Sequence, residues 1–218
     1  MKFFIDTANL SQIKEAHELG VLDGVTTNPS LMAKEGIKGQ ENIMKHYVEI
    51  CNIVKGDVSA EVIAIDFDGI VREGEALAKL HPQIVVKVPM IKEGVKAIRY
   101  FSGKGIRVNC TLVFSAGQAM LAAKAGAAYV SPFIGRLDDI NEDGIGLIHQ
   151  IVKIYRNYNF KTQVLAASIR HTLHITKCAE AGADVVTCPH QVILDLLKHP
   201  LTVSQKFCKT AVGERVLE

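Results

Sequence analysis

The sequence predicts a (β/α)8 TIM barrel, in which a closed ring of eight parallel strands is surrounded by helices. Two observations predict it: short apolar runs alternate with amphipathic stretches along the chain, and there are eight such runs. This alternation indicates parallel strands with right-handed crossovers, and 218 residues lie near the short end for eight units. An open doubly wound sheet is the alternative, but residues 6–9 (DTAN) do not form a glycine-rich phosphate loop after the first run.

The runs predicted as strands are short and mostly apolar. In chain order they are 2–6, 24–28, 59–64, 84–89, 107–113, 129–134, 163–168 and 185–189. The stretches predicted as helices are amphipathic, and several end at a glycine that can close the last turn. They are 10–19, 69–80, 95–101, 116–125, 144–155 and 173–181, with glycines at 20, 103, 126 and 182. Because no linker or low-complexity segment interrupts the pattern, residues 1–218 are predicted to form a single domain.

Composition is that of an ordinary soluble globular protein, with 48% hydrophobic residues. The net charge of +2 does not indicate a nucleic-acid partner or an anionic membrane. No apolar run of about 18 residues predicts a spanning helix, and the start MKFFIDTANL reaches Asp6 too early for a signal-peptide core. Five scattered cysteines without a Cys-x-x-Cys pair are typical of a reducing cytosol, so we expect a cytoplasmic protein.

Lys87 lies inside the run 84–89 (IVVKVP), which has the pattern of a strand buried on both faces. Burying an ammonium group costs roughly several kcal/mol unless the group is paired or loses its proton. A desolvated amine that loses its proton is a nucleophile toward carbonyls. Lys87 is therefore a candidate Schiff-base residue. The alternative is a strand-end lysine whose stem packs and whose ammonium group reaches water.

Polar and ionisable side chains lie on one face of seven of the predicted strands. Residues two apart share a face of a strand, and the active site of a (β/α)8 barrel lies at the carboxyl ends of its strands. The opposite faces are mostly apolar and would pack against helices. The polar set is Asp6, Thr26, Asn28, Ser59, Glu61, Lys87, Asn109, Thr111, Ser131 and Ser168. It predicts a catalytic site in which Asp6 and Glu61 converge near Lys87.

A lysine beside two carboxylates suggests carbonyl chemistry through an iminium ion. The Lys87 amine would attack a ketone, and the protonated imine would draw electrons from an adjacent C–C bond as that bond breaks. One carboxylate would shuttle the proton of the sugar hydroxyl at the breaking bond. The other, together with Thr111, could hold the water that imine formation and hydrolysis need.

Two arginines follow neighbouring strands: Arg136 comes just after the sixth and Arg170 just after the seventh. Their loops would place both on one side of the barrel mouth. There a phosphate could accept hydrogen bonds from both guanidinium groups and from the Ser168 hydroxyl. The pattern therefore predicts a substrate with an anionic end.

With these residues in view, the sequence resembles the small transaldolases, class I aldolase-type (β/α)8 enzymes, over essentially the whole chain. The motifs that carry the resemblance are FIDTAN at 4–9, GVTTNPSL at 24–31, IVVKVP at 84–89, NCTLVFS at 109–115, SPFIGR at 131–136 and LAASIR at 165–170. The resemblance implies transfer of a dihydroxyacetone unit between sugar phosphates. Sedoheptulose 7-phosphate and glyceraldehyde 3-phosphate would give erythrose 4-phosphate and fructose 6-phosphate, a step of the pentose phosphate pathway.

The resemblance also implies a role for each site residue. Lys87 would form the Schiff base, Asp6 would shuttle the proton of the C4 hydroxyl, and Glu61 and Thr111 would hold the catalytic water. Contacts to sugar hydroxyls are implied for Thr26, Asn28, Asn109 and Ser131, and a phosphate site for Arg136, Ser168 and Arg170. This chemistry needs no cofactor and no metal ion.

The fructose 6-phosphate aldolases form a similar branch that releases free dihydroxyacetone. They carry Tyr where this chain has Phe133 and Gln where it has Glu61, and a phenylalanine cannot assist a water as a tyrosine hydroxyl could. Ser131, Asn109 and Arg170 also match the transaldolases. A barrel that binds sugar phosphates without catalysis is a further alternative, but it would be expected to have lost the lysine or an acid.

The resemblance also implies an assembly, because short members of the family form decamers whose C-terminal helices reach onto neighbouring subunits. A homo-oligomer is therefore implied, with sugar phosphates as the small-molecule partners. One more helix is predicted at 203–210, beyond the eightfold pattern. It would make residues 201–218 a C-terminal extension, which could pack on a neighbouring subunit.

Overall fold

The computed structural model describes residues 1–203 of the chain and confirms the predicted (β/α)8 barrel. Eight parallel strands pair in sequence order, and the last pairs again with the first. They are β1 Lys2–Asp6, β2 Gly24–Thr26, β3 Asp57–Glu61, β4 Ile84–Pro89, β5 Val108–Val113, β6 Tyr129–Pro132, β7 Gln163–Ala166 and β8 Val185–Cys188. The predicted helix 203–210, apart from its first residue, and nearly all of the predicted extension 201–218 lie outside the described residues.

Helices connect the strands and cover the outside of the barrel. Within residues 1–203 they are α1 Leu10–Glu18, α2 Pro29–Lys34, α3 Gln40–Ile53, α4 Phe67–Ala78, α5 Lys92–Gly103, α6 Ala116–Ala125, α7 Ile134–Asp138, α8 Gly144–Asn157, α9 Thr172–Ala181, α10 His190–Asp195 and α11 Pro200–Val203. The predicted helices correspond to α1, α4, α5, α6, α8 and α9. The short helices α2, α7, α10 and α11, and the 14-residue α3, were not predicted. None of the described helices has the length and apolar character of a membrane span.

Side-chain caps determine where several helices begin, because they satisfy backbone N–H groups of the first turn. Such caps are Asn9 to Gln12, Asn28 to Leu31, Asp66 to Gly69, Ser115 to Gln118 and Asp143 to Gly146. Three predicted glycine caps are confirmed, since Gly20, Gly126 and Gly182 have left-handed backbone with φ of 73°, 97° and 87°. The predicted cap at Gly103 is wrong: α5 runs through that residue, and the left-handed residue is Gly105.

Several strands end earlier than predicted, because the residues beyond them bond elsewhere. β2 stops at Thr26 because the Asn28 side chain already caps α2, accepting a hydrogen bond from the Leu31 N–H at 3.0 Å. β3 stops at Glu61 rather than at residue 64. The backbone N–H groups of Ile63 and Ala64 donate instead to the Glu73 carboxylate, at 2.7 and 3.0 Å. The early stop of β2 leaves the polar residues Thr27 and Asn28 in a loop at the carboxyl end of the barrel.

Apolar packing forms two layers, one on each side of the strands. The outer layer joins the strands to the helices and contains most of the buried aliphatic residues. The second layer, which we call the interior cluster, lies inside the barrel and consists of Phe4, Val85, Tyr129, Leu165, Ala167 and Val185. The Phe4 and Tyr129 rings meet edge to face, with centroids 6.1 Å apart. A Cβ at Gly24 would lie 2.6 Å from the Phe4 ring, so this glycine gives the ring its space.

Candidate active site

A cavity of about 250 Å³ opens at the carboxyl ends of the strands, directly above the interior cluster. Nine of the twelve predicted site residues line it: Asp6, Thr26, Asn28, Lys87, Ser131, Phe133, Arg136, Ser168 and Arg170. Ala167 and Thr187 complete the lining. The other three, Glu61, Asn109 and Thr111, lie beside the cavity and not on its wall. The strands therefore bring together groups that are up to 181 residues apart in sequence (Asp6 and Thr187).

Lys87 points into the barrel and is 6% exposed. Its Nζ lies 3.0 Å from Oε2 of Glu61 and donates a hydrogen bond to the Thr27 carbonyl oxygen at 3.3 Å. The β3–β4 register explains the first contact, because Glu61 and Lys87 are direct neighbours across the two strands. An ion pair with an additional acceptor is what makes a buried ammonium group tolerable. The Lys87 amine therefore faces the barrel interior beside a carboxylate.

Asp6 lies on the same wall and is held by two threonines. Its Oδ1 accepts a hydrogen bond from the Thr26 hydroxyl at 2.7 Å, and the Thr26 and Thr187 hydroxyl oxygens are 2.6 Å apart. Burial raises the pKa of Asp6 above its ordinary value of 3.8, although the charge of Lys87 and the bond from Thr26 oppose this. A carboxyl group with a raised pKa is suited to accept a proton and return it.

Thr187 was missed by the sequence analysis, which considered the polar face of only seven strands. Thr187 and Val185 are two residues apart on β8, and both face the barrel interior. The same alternation that selected the other site residues would therefore have selected Thr187.

Asn109 and Ser131 form a buried chain of polar groups beside Lys87. The Ser131 hydroxyl donates to Asn109 Oδ1 at 2.7 Å, and Asn109 Nδ2 donates to the Ser59 hydroxyl at 3.2 Å. Ser131 lines the cavity, whereas Asn109 does not. The amide of Asn109 therefore orients Ser131, which is the better placed of the two to contact a molecule in the cavity.

Glu61 and Thr111 do not line the cavity; Glu61 on β3 is paired with Lys87, and Thr111 on β5 is paired with Pro89. Glu61 also lines a second cavity of about 370 Å³, which lies between α3 and α4 and includes Tyr47. The Thr111 hydroxyl is buried and has no hydrogen-bond partner among residues 1–203. A buried hydroxyl normally has a partner, so the Thr111 hydroxyl can still form a hydrogen bond with a water or a bound molecule.

Arg136 and Arg170 both line the cavity. The Arg136 guanidinium lies over the Phe133 ring, 5.1 Å from its centroid, and Arg170 Nη2 lies 2.6 Å from Asp139 Oδ2. A Cβ at Gly135 would lie 2.2 Å from the Ser168 carbonyl oxygen. Only glycine therefore lets the loops after β6 and β7 approach closely enough to bring the two arginines together.

By the alternation rule, Ser168 and Ala166 share the inward face of the seventh strand and Leu165 faces the helices. For Ala166 and Leu165 this prediction is wrong. Leu165 belongs to the interior cluster, whereas Ala166 packs in the outer layer. By this alternation Ser168 would point outward, yet it lines the cavity because its φ of 60° turns the chain after β7. A left-handed backbone at a residue other than glycine costs about 1–3 kcal/mol. The sequence pattern does not reveal such a turn.

Residues 3–217 match a family model described as Transaldolase/Fructose-6-phosphate aldolase. The chain is 75% identical over 202 residues to a "Probable transaldolase" of Phocaeicola vulgatus, which covers 93% of both chains. It is 74% identical over 204 residues to a "Probable transaldolase" of Cytophaga hutchinsonii, covering 94% of both. A similarly named protein of Bacteroides fragilis is 74% identical over 202 residues and covers 93% of both.

Proposed function

The chain belongs to the transaldolase/fructose-6-phosphate aldolase family, and we propose that it transfers a dihydroxyacetone unit between sugar phosphates through a Schiff base on Lys87. One observation carries the proposal: a buried lysine amine, 3.0 Å from the Glu61 carboxylate, lines the same cavity as the Asp6 carboxyl group. A nucleophilic amine and a separate proton-transfer group are what cleavage of a ketose needs.

In the proposed reaction the Lys87 nitrogen attacks the C2 carbonyl of the donor, and loss of water gives the iminium ion. The C3–C4 bond then breaks. Its electrons move to the iminium as an enamine, while Asp6 takes the C4 hydroxyl proton and an aldose departs. The enamine carbon attacks the carbonyl of the acceptor aldose, Asp6 returns the proton to the new hydroxyl, and water hydrolyses the imine. Glu61 and Thr111 would hold that water.

The substrates we propose are those of a pentose phosphate step: sedoheptulose 7-phosphate with glyceraldehyde 3-phosphate, giving erythrose 4-phosphate and fructose 6-phosphate. The phosphate would bind between Arg136 and Arg170 with the Ser168 hydroxyl, since these residues all line the cavity. Thr26, Asn28 and Ser131 would contact sugar hydroxyls. A cytoplasmic location and a homo-oligomeric assembly, a decamer by family resemblance, belong to the same proposal.

Phe133 supports transfer over release of free dihydroxyacetone. Its ring lines the cavity and packs between the Phe114 ring, with centroids 5.8 Å apart, and the Arg136 guanidinium. It brings no hydroxyl to the site, so it cannot assist a water that would protonate the enamine and release the three-carbon unit. A lyase remains the alternative activity.

Turnover of fructose 6-phosphate with and without erythrose 4-phosphate tests the proposal. Turnover that depends on the acceptor is expected, because the enamine on Lys87 is consumed only when it attacks the carbonyl of an aldose. Equally fast turnover without acceptor would identify a lyase. No turnover under either condition, by a protein that still binds the sugar phosphate, would identify a barrel that binds without catalysis.

Phe133→Tyr is expected to raise the release of free dihydroxyacetone relative to transfer. Positioned acid–base groups accelerate by about 10²–10⁴-fold, so even an imperfectly placed hydroxyl should change the ratio by about tenfold. The ratio is measured as dihydroxyacetone formed against sedoheptulose 7-phosphate formed. Phe114→Tyr is the matched control, because it adds the same hydroxyl to the neighbouring ring, outside the lining of the cavity. An unchanged ratio in Phe133→Tyr would remove the argument from Phe133.

Arg136→Ala is expected to weaken transition-state binding of phosphorylated substrates by about 1.5–3 kcal/mol, the worth of hydrogen bonds to a charged group. The measurement is kcat/KM with fructose 6-phosphate as donor, beside the ability of unphosphorylated dihydroxyacetone to form the borohydride-reducible adduct on Lys87. Only the phosphorylated substrate should be affected. Arg99→Ala, an exposed arginine on α5, is the control. Equal losses with both sugars would show that Arg136 does not serve a phosphate.

A further inference from the structure

His174 is a buried residue in the first turn of α9, and both of its ring nitrogens have partners. Nδ1 accepts a hydrogen bond from the backbone N–H of Arg170 at 3.3 Å. Nε2 lies 3.0 Å from Oδ2 of Asp138, the last residue of α7. With Nδ1 as acceptor, the proton of a neutral ring is on Nε2, which then donates to Asp138.

These two contacts join the segments that carry the two arginines of the cavity. Arg170 follows β7, and Arg136 lies on α7, a helix of five residues. Asp138 also accepts a hydrogen bond from the backbone N–H of Gly144 at 3.2 Å, which links the end of α7 to the start of α8. Such a short helix has few internal hydrogen bonds to fix its direction. The position of Arg136 therefore depends on what holds the end of α7.

The surroundings of His174 favour the neutral ring. Burial lowers its pKa, and the nearby charges of His171 and Arg170 act the same way, while Asp138 opposes them. The His171 ring packs against it with centroids 3.9 Å apart. The titratable groups that share the adjoining cavity are Asp138, Asp143, His149, His171, Lys177 and Glu180. A second proton on Nδ1 would face the Arg170 N–H and break that bond.

We propose that His174 is a positioning residue for the phosphate site, and that it holds Arg136 and Arg170 at a common spacing by tying the loop after β7 to α7. The inference rests on the proposed function, since it assigns the two arginines to one phosphate. His174 itself does not line the cavity and touches no substrate. Its loss should weaken phosphate binding and leave the chemistry at Lys87 intact.

The test measures binding of inorganic phosphate alone by calorimetry in three variants. His174→Leu removes both contacts and should raise the phosphate Kd about tenfold. His174→Asn keeps an acceptor at the Nδ1 position and His174→Gln keeps a donor at the Nε2 position, so each retains one contact. The phosphate Kd of each should lie between those of the wild type and His174→Leu. His149→Leu is the matched control, because His149 lines the same cavity but is exposed. A phosphate Kd that stays at the wild-type value in all three variants would overturn the inference.

Borohydride trapping separates this inference from the proposed function. In His174→Leu the fructose 6-phosphate concentration for half-maximal trapping on Lys87 should rise about tenfold, while that for dihydroxyacetone, which has no phosphate, stays unchanged. Adding His174→Leu to Arg136→Ala should raise that fructose 6-phosphate concentration by clearly less than tenfold, because residues that act through one another are not additive. Equal losses with both sugars would overturn the positioning role of His174 and leave the Schiff-base function standing. Failure of wild-type protein to be trapped by either sugar would refute the Schiff-base function, and the phosphate measurement would still decide the role of His174.

Discussion

Lys87→Met is expected to abolish transfer, with a loss of about 10⁴-fold or more, because no other group can form the covalent intermediate. Methionine fills the space of the lysine stem but has no amine. Borohydride with fructose 6-phosphate should add the mass of the reduced sugar to the wild-type protein at Lys87 and add nothing to the variant. An adduct on a different lysine, or wild-type activity in the variant, would contradict the mechanism.

The same substitution tests the ion pair. Lys87 and Glu61 lie 3.0 Å apart with side chains that are 7% and 16% exposed, so removing the lysine leaves a nearly buried carboxylate without its partner. Breaking a buried pair costs about 3–5 kcal/mol in stability. The double variant Lys87→Met with Glu61→Gln should recover most of this loss and remain inactive, because both groups are then neutral. Denaturant unfolding measures the stabilities, and equal values for the two variants would show that the pair contributes little.

Asp6→Asn is expected to lower kcat by about 10²–10⁴-fold, because asparagine cannot accept the proton of the C4 hydroxyl. Schiff-base formation at Lys87 should survive, so borohydride trapping separates the two steps. The exposed Asp68→Asn on α4 serves as control. Loss of trapping together with loss of turnover would mean that Asp6 supports the amine and not the breaking bond.

The same variant should be more stable than the wild type at neutral pH. The folded-state pKa of Asp6 is raised, so the folded protein holds this proton more tightly than the unfolded chain does. Stability therefore falls as pH rises from the unfolded value near 3.8 through the folded pKa, and the cost stays in place above it. Asp6→Asn, which cannot ionise, should be more stable than the wild type at pH values above that range, and not at pH values below it. Thermal unfolding measured across pH checks the sign.

Much of the fold and of the site could be predicted because both rest on a local pattern. Apolar runs of strand length recur between amphipathic stretches, and polar residues two apart near strand ends converge when the strands close. Lys87, Asp6 and Thr26 were found in this way. Helix α3 could also have been found, since Ile43, Tyr47, Ile50 and Val54 have helical spacing.

Other features could not be predicted, because they depend on tertiary contacts. The turn at Ser168 needs a left-handed backbone that packing imposes, and the pattern of β7 therefore suggested the wrong face. The contact of Arg170 with Asp139 joins two loops. His174 is not among the residues that the sequence pattern selects for the site. Its two hydrogen bonds to the segments carrying the arginines appear only once the barrel is closed.

The interior cluster has a kinetic consequence. Phe4 lies two residues before Asp6 and Val85 two residues before Lys87, so apolar side chains fill the layer directly beneath the reacting groups. In the proposed reaction, sugars would therefore enter and leave the cavity only at its open end. In that reaction the first product must leave before the second substrate takes its place, and the enzyme waits between the two as a covalent three-carbon carrier. The order of a double displacement would thus be imposed by the floor of the barrel.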